Sequence, residues 1–276
     1  MIVFTYDHTF DGLLTCLFEV YNHKTFPDLL LKDGEPLPLF VDEVINVSTF
    51  EEKHQRVWLG LRKKLSSSAL SNLTYGWLSE LPGIDLLLLR YMKKVSDSPV
   101  SIETNFADAD VLELSKVWKK VNNERHRLLQ FVRFQKASDG TFFAPVEPLY
   151  NVLPLTIRHF RDRFADQPWL LYDIKRKYGF YYNLKTVEEV TFEDETQAHL
   201  ITGILQDNQI AKDEKLFQNL WKTYFKAICI KERLNPRKHK QDMPIRYWKL
   251  LTEKQEYLDL TTFGKKMILF CFYLKY

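Results

Sequence analysis

The 276-residue sequence is poor in cysteine, glycine and proline. Its three cysteines, Cys16, Cys229 and Cys271, are far apart and form no C-x-x-C pair, which argues against a zinc ribbon or a local iron–sulfur loop. Nine glycines and eleven prolines are too few for a collagen-like chain or a Gly/Pro-rich disordered chain. A small, uneven number of widely spaced cysteines is typical of a reduced intracellular protein.

Long hydrophobic runs are also missing. The longest uncharged apolar run, residues 267–274, is far shorter than the roughly 20 residues that a membrane span needs. The first ten residues have no basic segment followed by an apolar run, so they do not resemble a signal peptide. We therefore expect a cytoplasmic protein with no membrane partner.

Well-defined catalytic motifs are absent as well. The sequence contains no G-x-x-x-x-G-K-[ST], G-x-G-x-x-G, G-x-S-x-G or H-E-x-x-H. A nucleotide-hydrolysing motor and a dinucleotide oxidoreductase are thereby disfavoured, and we expect no cofactor. Asp7, Asp11 and Glu19 suggest a metal site, but Asp11 and Glu19 lie eight residues apart on a predicted helix, so at most a pair could converge and no metal is expected.

Periodicity indicates helices in the first half of the chain. Apolar residues at helical spacing predict a first helix, with Thr9 as its cap: Phe10, Leu13, Leu14, Leu17, Phe18 and Tyr21. The segment 48–51 reads as a capping box for a second helix, whose inner face would contain Phe50, Val57, Trp58, Leu61 and Leu65. Two more helices are predicted over 69–81 and 84–95, and Asp108 is placed to cap a longer one.

The pattern changes near residue 130. Residues 130–136 and 141–146 flank a turn sequence at 137–140, and 169–176 and 180–184 form a second hairpin-like pair around Tyr178 and Gly179. A strand is predicted over 187–192, and helices over about 148–164 and 217–234. We predict an α+β fold with a helical N-terminal half, a small antiparallel sheet in the middle and C-terminal helices. The predicted regions are 1–115, a basic and aromatic region 116–254, and an apolar extension 255–276.

The net charge of +3 conceals an uneven distribution of charge. Residues 1–55 contain 3 basic and 10 acidic residues, whereas 116–185 contain 14 and 6, and 231–254 contain 8 and 3. Because the basic segments are also rich in aromatic rings, they could neutralise phosphates and stack bases. The alternatives are a solvated basic face without function, and rings that point inward as core. Our candidates for phosphate contact are Arg127, Arg133, Arg163, Arg176 and Arg246, and those for stacking are Phe134, Tyr181 and Trp248.

Two histidine–carboxylate combinations are candidate general acid–base groups. His126 follows Glu124 at the end of the long helix, and His159 lies on the predicted helix that follows Glu147. Imidazole titrates near neutral pH, as such a role requires. The alternatives are a Glu124–Arg127 pair at an exposed helix end, and a Glu147 that caps a helix or reads a base edge.

Several short motifs, taken in order, resemble an uncharacterised bacterial family of probable DNA metabolism proteins. The similarity covers roughly 1–250 and is carried by the motifs Y-D-H-T-F-D-G-L-L at 6–14, E-R-H-R at 124–127, E-P at 147–148, Q-P-W at 167–169, R-L-N-P at 233–236, and M-P at 243–244 before R-Y-W at 246–248. Members of that family are encoded beside a radical-SAM protein, and relatives are fused to a uracil-DNA-glycosylase-like domain. Where the family has an Asp-His pair after Glu-Pro, this chain has Leu149 and Tyr150, which disfavours a catalytic or metal-binding histidine there.

Three hypotheses follow from the residues and the resemblance together. The first is a DNA metabolism or repair protein that binds single-stranded or damaged DNA and works with a partner enzyme. The second is an enzyme that acts on nucleic acid through His126 or His159, oriented by Glu124 or Glu147. The third is an interaction module whose acidic segment, 1–55, docks on a radical-SAM-type partner. The chain has no C-x-x-x-C-x-x-C triplet, so it is not the radical-SAM protein itself.

Overall fold

A computed structural model describes residues 1–192, 205, 209–228, 230–233 and 235–254. The chain divides into two compact units, Met1–Asn123 and Glu124–Tyr276, which are described separately. The predicted division into regions 1–115, 116–254 and 255–276 stays a prediction, and the last of these regions lies outside the described residues.

The first unit contains a three-stranded parallel sheet. Its strands are β1 (Ile2–Tyr6), β2 (Leu29–Lys32) and β3 (Glu43–Val47), in the order β2-β1-β3. The central strand of this sheet is β1. Strands β2 and β3 were not predicted, because they are short edge strands with few buried side chains and therefore show no clear alternation.

Helices α1 to α5 make up most of the rest of the first unit. Their bounds are Phe10–His23, Glu51–Lys64, Ser67–Trp77, Ile84–Asp97 and Ala109–Phe131, the last of which continues into the second unit. The predicted cap at Thr9 is confirmed, because its hydroxyl accepts the N–H of Gly12 at 2.9 Å. Asp108 caps α5 as predicted, since its carboxylate accepts the N–H groups of Asp110 and Val111 at 2.9 and 3.2 Å.

The predicted capping box at 48–51 is wrong. Helix α2 begins at Glu51, its N-cap is Phe50, and no side chain caps it. The hydroxyl of Thr49 instead donates to the carboxylate of Asp7 at 2.8 Å. Of the predicted inner face of α2, Leu61 and Leu65 are buried but Phe50 is exposed.

The second unit contains a five-stranded mixed sheet. Its strands, in the order β4-β5-β6-β7-β8, are Gln135–Lys136, Phe142–Val146, Trp169–Asp173, Tyr178–Tyr182 and Val187–Thr191. The α+β class is confirmed, but the sheet is not wholly antiparallel, because β5 and β6 pair in parallel. The hairpin turn at 137–140 is confirmed, with Gly140 at a φ of 89°. The second turn lies at 174–177 rather than around Tyr178 and Gly179, which are both in β7.

Among the described helices of the second unit, one is long and the others are short. They are α6 (Ile157–Arg163), α7 (Glu214–Ala227) and α8 (Pro236–Asp242), together with 3-10 turns at Lys231–Arg233 and Ile245–Leu250. The predicted helix over 148–164 is wrong for residues 148–156, which are irregular. The cause is local. The backbone N–H of Leu149 is bound by Glu124, and the carbonyls of Pro148 and Leu149 accept from Arg176, so side chains replace helical hydrogen bonds.

Candidate nucleic-acid interface

A cleft of about 460 Å³ opens on the surface of the second unit. Its lining residues combine three cations, one carboxylate and three apolar side chains: Lys175, Arg246, Lys249, Glu147, Pro148, Leu149 and Ile245. Three parts of the chain therefore contribute: the segment after β5, the β6–β7 turn and the last 3-10 turn. The volume lies within the range of ~300–1,000 Å³ that is usual for ligand sites.

Arg246 is held in this cleft by a buried carboxylate. Glu124 is only 1% exposed, and its Oε2 binds the guanidinium of Arg246 while its Oε1 accepts the N–H of Leu149 at 2.9 Å. The Nη2 of Arg246 also donates to the hydroxyl of Tyr247 at 3.0 Å. Burial, together with the neighbouring Glu124, raises the pKa of Tyr247, so that hydroxyl keeps its proton near neutral pH. Both contacts are made by the Nη2 of Arg246, so the guanidinium is held at that nitrogen.

The other charges of the cleft are exposed. Lys249 pairs with Glu147, and both side chains remain accessible to solvent. Lys175 is exposed in the β6–β7 turn, and its ammonium pairs with no carboxylate among the described residues. The cleft therefore presents more positive than negative charge to a ligand.

Arg176 is not one of the lining residues of the cleft, but it contacts the backbone of two of them. Its Nη1 donates to the buried carboxylate of Asp173 at 2.8 Å and to the carbonyl of Pro148 at 3.2 Å, and its Nη2 donates to the carbonyl of Leu149 at 3.2 Å. Burial raises the pKa of Asp173, against the opposing effect of Arg176. This arginine joins the β6–β7 turn to the irregular segment that lines the cleft.

Arg133 also has an internal partner. Its Nη2 and Nε donate to the two carboxylate oxygens of Glu253 at 2.7 and 3.3 Å, in a bidentate pair. The indole N–H of Trp221 donates to the same carboxylate at 2.9 Å. The predicted phosphate contacts at Arg133 and Arg176 stay untested, but both guanidinium groups are engaged within the fold.

Two of the three predicted stacking rings pack inside the unit. Phe134 lies against Phe160, Phe164 and Trp169, with centroids 5.2–6.4 Å away. Trp248 is buried, and its indole N–H donates to the carbonyl of Met243 at 3.0 Å. Tyr181 is half-buried on β7. The aromatic residues that suggested base stacking therefore include two, Phe134 and Trp248, that pack inside the unit.

The predicted acid–base combinations are not brought together. His126 and His159 are exposed, and within the described parts of the chain neither imidazole pairs with a carboxylate. Glu124 instead binds Arg246, and Glu147 binds Lys249. Among the other predicted phosphate contacts, Arg127 lies 3.9 Å from Glu124 and Arg163 is exposed beside the ring of Phe164. Their assignments remain predictions.

Sequence reasoning identified Arg246 but missed the lysines of the cleft. Lys249 lies one turn beyond Arg246 in the 3-10 segment Ile245–Leu250, so their spacing could have signalled a shared face. Lys175 gave no comparable signal, because its place depends on the β6–β7 turn, which was predicted at the wrong residues.

A protein-family model described as a domain of unknown function, DUF4130, matches residues 82–253. This is more than half of the chain. The chain belongs to the DUF4130 family. The DUF4130 match includes every residue that lines the cleft and also Glu124, whereas the motif at 6–14 lies outside it. The expectation of an uncharacterised family is thereby confirmed.

Other comparisons add little to the DUF4130 assignment. No curated protein matches the sequence. One similar solved structure is a pGpG-specific phosphodiesterase from Vibrio cholerae, with 10% sequence identity and a TM-score of 0.35 over 82% of this chain and 98% of that chain. A TM-score this low supports no argument about fold or function.

The described part of this DUF4130 chain includes no group of three or more His, Cys, Asp and Glu residues that could hold a metal ion. No described helix is long and apolar enough to cross a membrane. The carboxylate of Asp7, once considered as a ligand, accepts from Thr9 and Thr49, and that of Glu19 binds Lys53 and Asn22.

The ion pair between Glu253 and Arg133 makes the stability of this DUF4130 protein dependent on pH. Burial by itself raises the pKa of Glu253, but hydrogen bonds from Arg133, the backbone and Trp221 outweigh it, so the pKa lies below the ordinary value of 4.5. A carboxylate with a lowered pKa stabilises the native state above its unfolded pKa, and this contribution is lost as pH falls through the native pKa.

We therefore expect Glu253→Gln to lower the free energy of unfolding most at neutral pH, and progressively less below about pH 4.5. Urea denaturation of both proteins at several pH values measures the difference. Glu113→Gln, which changes an exposed carboxylate paired with Lys116, is the control and should have a small effect throughout. A Glu253→Gln effect that does not change with pH would contradict the expectation.

Proposed function

We propose that this protein binds nucleic acid by gripping the sugar–phosphate backbone in the cleft of the second unit. The observation that supports this most is the convergence of Lys175, Arg246 and Lys249 on one concave surface. Arginine and lysine are the residues that most often contact phosphate oxygens. Arg246 is held by Glu124 and Tyr247, so less side-chain entropy is lost when a phosphate binds it.

The remaining lining of the cleft suits the rest of a nucleotide. Leu149 and Ile245 are half-exposed and offer apolar contact to a sugar or base. Glu147 offers a carboxylate that can accept from a base amino group once a phosphate has bound Lys249. In this proposal Arg176 holds Pro148 and Leu149 in the wall of the cleft, whereas Arg127 and Arg163 extend the basic surface. Arg133 binds Glu253, which does not line the cleft.

The finer proposal rests on the family resemblance. We propose a role in DNA metabolism or repair, on single-stranded or damaged DNA, together with a radical-SAM-type partner enzyme. The presence in relatives of a uracil-DNA-glycosylase-like domain supports a DNA substrate. Co-elution of the two purified proteins, with and without DNA, is the measurement that addresses the partner.

The double variant Lys175→Glu/Lys249→Glu tests the cleft. We expect fluorescence anisotropy with labelled single- and double-stranded DNA to show weaker binding to all sequences. The salt dependence of log K should become less steep by about two counterions, because each lysine that contacts a phosphate contributes about one.

The matched control is Lys63→Glu/Lys119→Glu, which changes the charge equally at exposed helical positions outside the cleft. Its salt slope should stay close to that of the wild type. Equal losses in both double variants would mean that net charge alone drives binding. Failure of the wild-type protein to bind DNA at low salt would refute direct contact with nucleic acid.

A further inference from the structure

Helix α7 carries an exposed apolar surface. We call the following residues the α7 stripe: Leu216, Phe217, Leu220, Tyr224 and Ile228. They are each 54–60% exposed and share one side of the helix. The helix contacts its own unit through other side chains, since Glu214 is buried and binds the N–H of Lys136, and Trp221 donates to Glu253. Neighbouring apolar side chains this exposed are typical of a surface that another segment or molecule covers.

The described chain ends beside this helix. The carboxylate of Glu253 accepts the indole N–H of Trp221 at 2.9 Å, and the ammonium of Lys254 lies 4.7 Å from the ring centroid of Phe225. Both aromatic residues belong to α7, and the whole of 124–276 belongs to the second unit. Residue 255 therefore follows directly from a point of contact with the helix that carries the stripe.

The sequence beyond this point contains an apolar segment. We call residues 267–274 the apolar run, because all eight side chains are apolar. The run lies outside the described residues and also beyond the DUF4130 match, which ends at residue 253. Uncharged apolar segments of this length promote aggregation unless folded protein covers them. The chain therefore adds to its family domain a segment that needs an apolar surface to bury it.

The chain is long enough to bring the apolar run to the stripe. Residues 255–266 separate Lys254 from the run, and an extended chain of that length spans about 40 Å at ~3.3 Å per residue. Helix α7 is only about 21 Å long at ~1.5 Å per residue. Because a short linker gives an effective concentration of about millimolar, the run competes well for the stripe against separate molecules.

We propose that the apolar run docks on the α7 stripe of the same chain. The leucine, isoleucine, phenylalanine and methionine side chains of the run would cover the leucine, phenylalanine and tyrosine side chains of the stripe, so both surfaces leave water together. Helix α7 then lies between the polar contacts of its own unit and the docked run. The proposal concerns how the second unit is completed and goes beyond the proposed function of the cleft.

Photo-crosslinking in the full chain tests the docking directly. The variant Leu220→p-benzoylphenylalanine places a photoreactive ring in the stripe, and mass spectrometry of the digested protein identifies the attached peptide. We expect crosslinks from position 220 to 267–274 of the same chain. The control is Leu59→p-benzoylphenylalanine, because Leu59 is as exposed on α2 (54%) as Leu220 is on α7 (55%), and it should give no crosslink to the run.

A double-mutant cycle in the full chain measures the same contact through stability. Leu220→Glu and Phe270→Glu each place a carboxylate in the proposed contact, so each should lower the melting temperature by at least about 2 °C. The double variant should lower it little further, because either change alone already breaks the contact. The control cycle combines Phe270→Glu with Leu59→Glu, and those two effects should add.

Several results would overturn the proposal. Crosslinks from position 220 that never reach the run would exclude the contact, and so would effects of Leu220→Glu and Phe270→Glu that add in full. Equal crosslinking of the run from positions 59 and 220 would mean that it has no preference for the stripe. Mixing isotopically labelled and unlabelled chains identifies crosslinks between two copies, and a product formed only between copies would place the run on a second molecule instead.

Discussion

Glu124→Ala is expected to lower the free energy of unfolding by about 3 kcal/mol, because it removes one partner of a buried ion pair. The change leaves the guanidinium of Arg246 without its carboxylate and the N–H of Leu149 without its acceptor. Arg246 keeps access to solvent at about a third of its side chain, which places the loss at the lower end for such pairs. Chemical denaturation followed by tryptophan fluorescence measures it.

A matched control is available on the same helix. Glu113→Ala removes an exposed carboxylate that lies 3.5 Å from Lys116, and exposed pairs of this kind contribute at most about 1 kcal/mol. Glu124→Gln keeps an acceptor for Leu149 while removing the charge, so its effect should fall between the two. Equal effects of Glu124→Ala and Glu113→Ala would mean that the buried carboxylate does not hold the cleft together.

Gly179→Ala is expected to destabilise the second unit by about 3 kcal/mol, at the upper end for overpacked sites. A Cβ at this position in β7 would lie 2.5 Å from the carbonyl oxygen of Leu171 and 3.1 Å from the Cα of Tyr172. Both atoms belong to the backbone of β6, which pairs with β7, so no side-chain rotation can relieve the contact. The two central strands would have to separate locally.

Gly60→Ala provides the opposite expectation. Gly60 lies within α2, and a Cβ there would meet nothing within 4 Å. Alanine should stabilise the helix by about 1 kcal/mol, because it loses less backbone freedom than glycine. The two variants make the same chemical change, so melting temperatures that move in opposite directions would show that the contact with the β6 backbone outweighs the gain in backbone entropy at Gly179. A neutral Gly179→Ala would mean that β6 and β7 yield more easily than their geometry indicates.

Local signals in the sequence identified much of the fold. The apolar stripe of α1, the caps at Thr9 and Asp108, and the turn at 137–140 all depend on residues within one or two turns of chain. The segment 148–156 has an equally helical pattern but is irregular. Its backbone groups are bound by Glu124 and Arg176, which lie 25 and 27–28 residues away in sequence. Patterns read over a short window cannot include such partners.

The candidate site was less accessible to sequence reasoning for the same reason. Arg133, Arg176 and Arg246 were selected because they are basic and lie near aromatic residues. Their carboxylate partners decide their roles, and two of these partners, Glu253 and Glu124, lie 120 and 122 residues away. Charge type can be read from the sequence, but whether a charge faces solvent or another charge depends on long-range pairing.

The pair of Glu124 and Arg246 also sets an order of events during synthesis. Arg246 emerges 122 residues after Glu124, which is roughly 6–24 s later at ordinary rates of translation. Until then the carboxylate of Glu124, which also accepts the N–H of Leu149, lacks its guanidinium partner. The nascent chain must therefore wait for Arg246 before this ion pair can form, and shielding of the apolar strands of the unit is most needed in that interval.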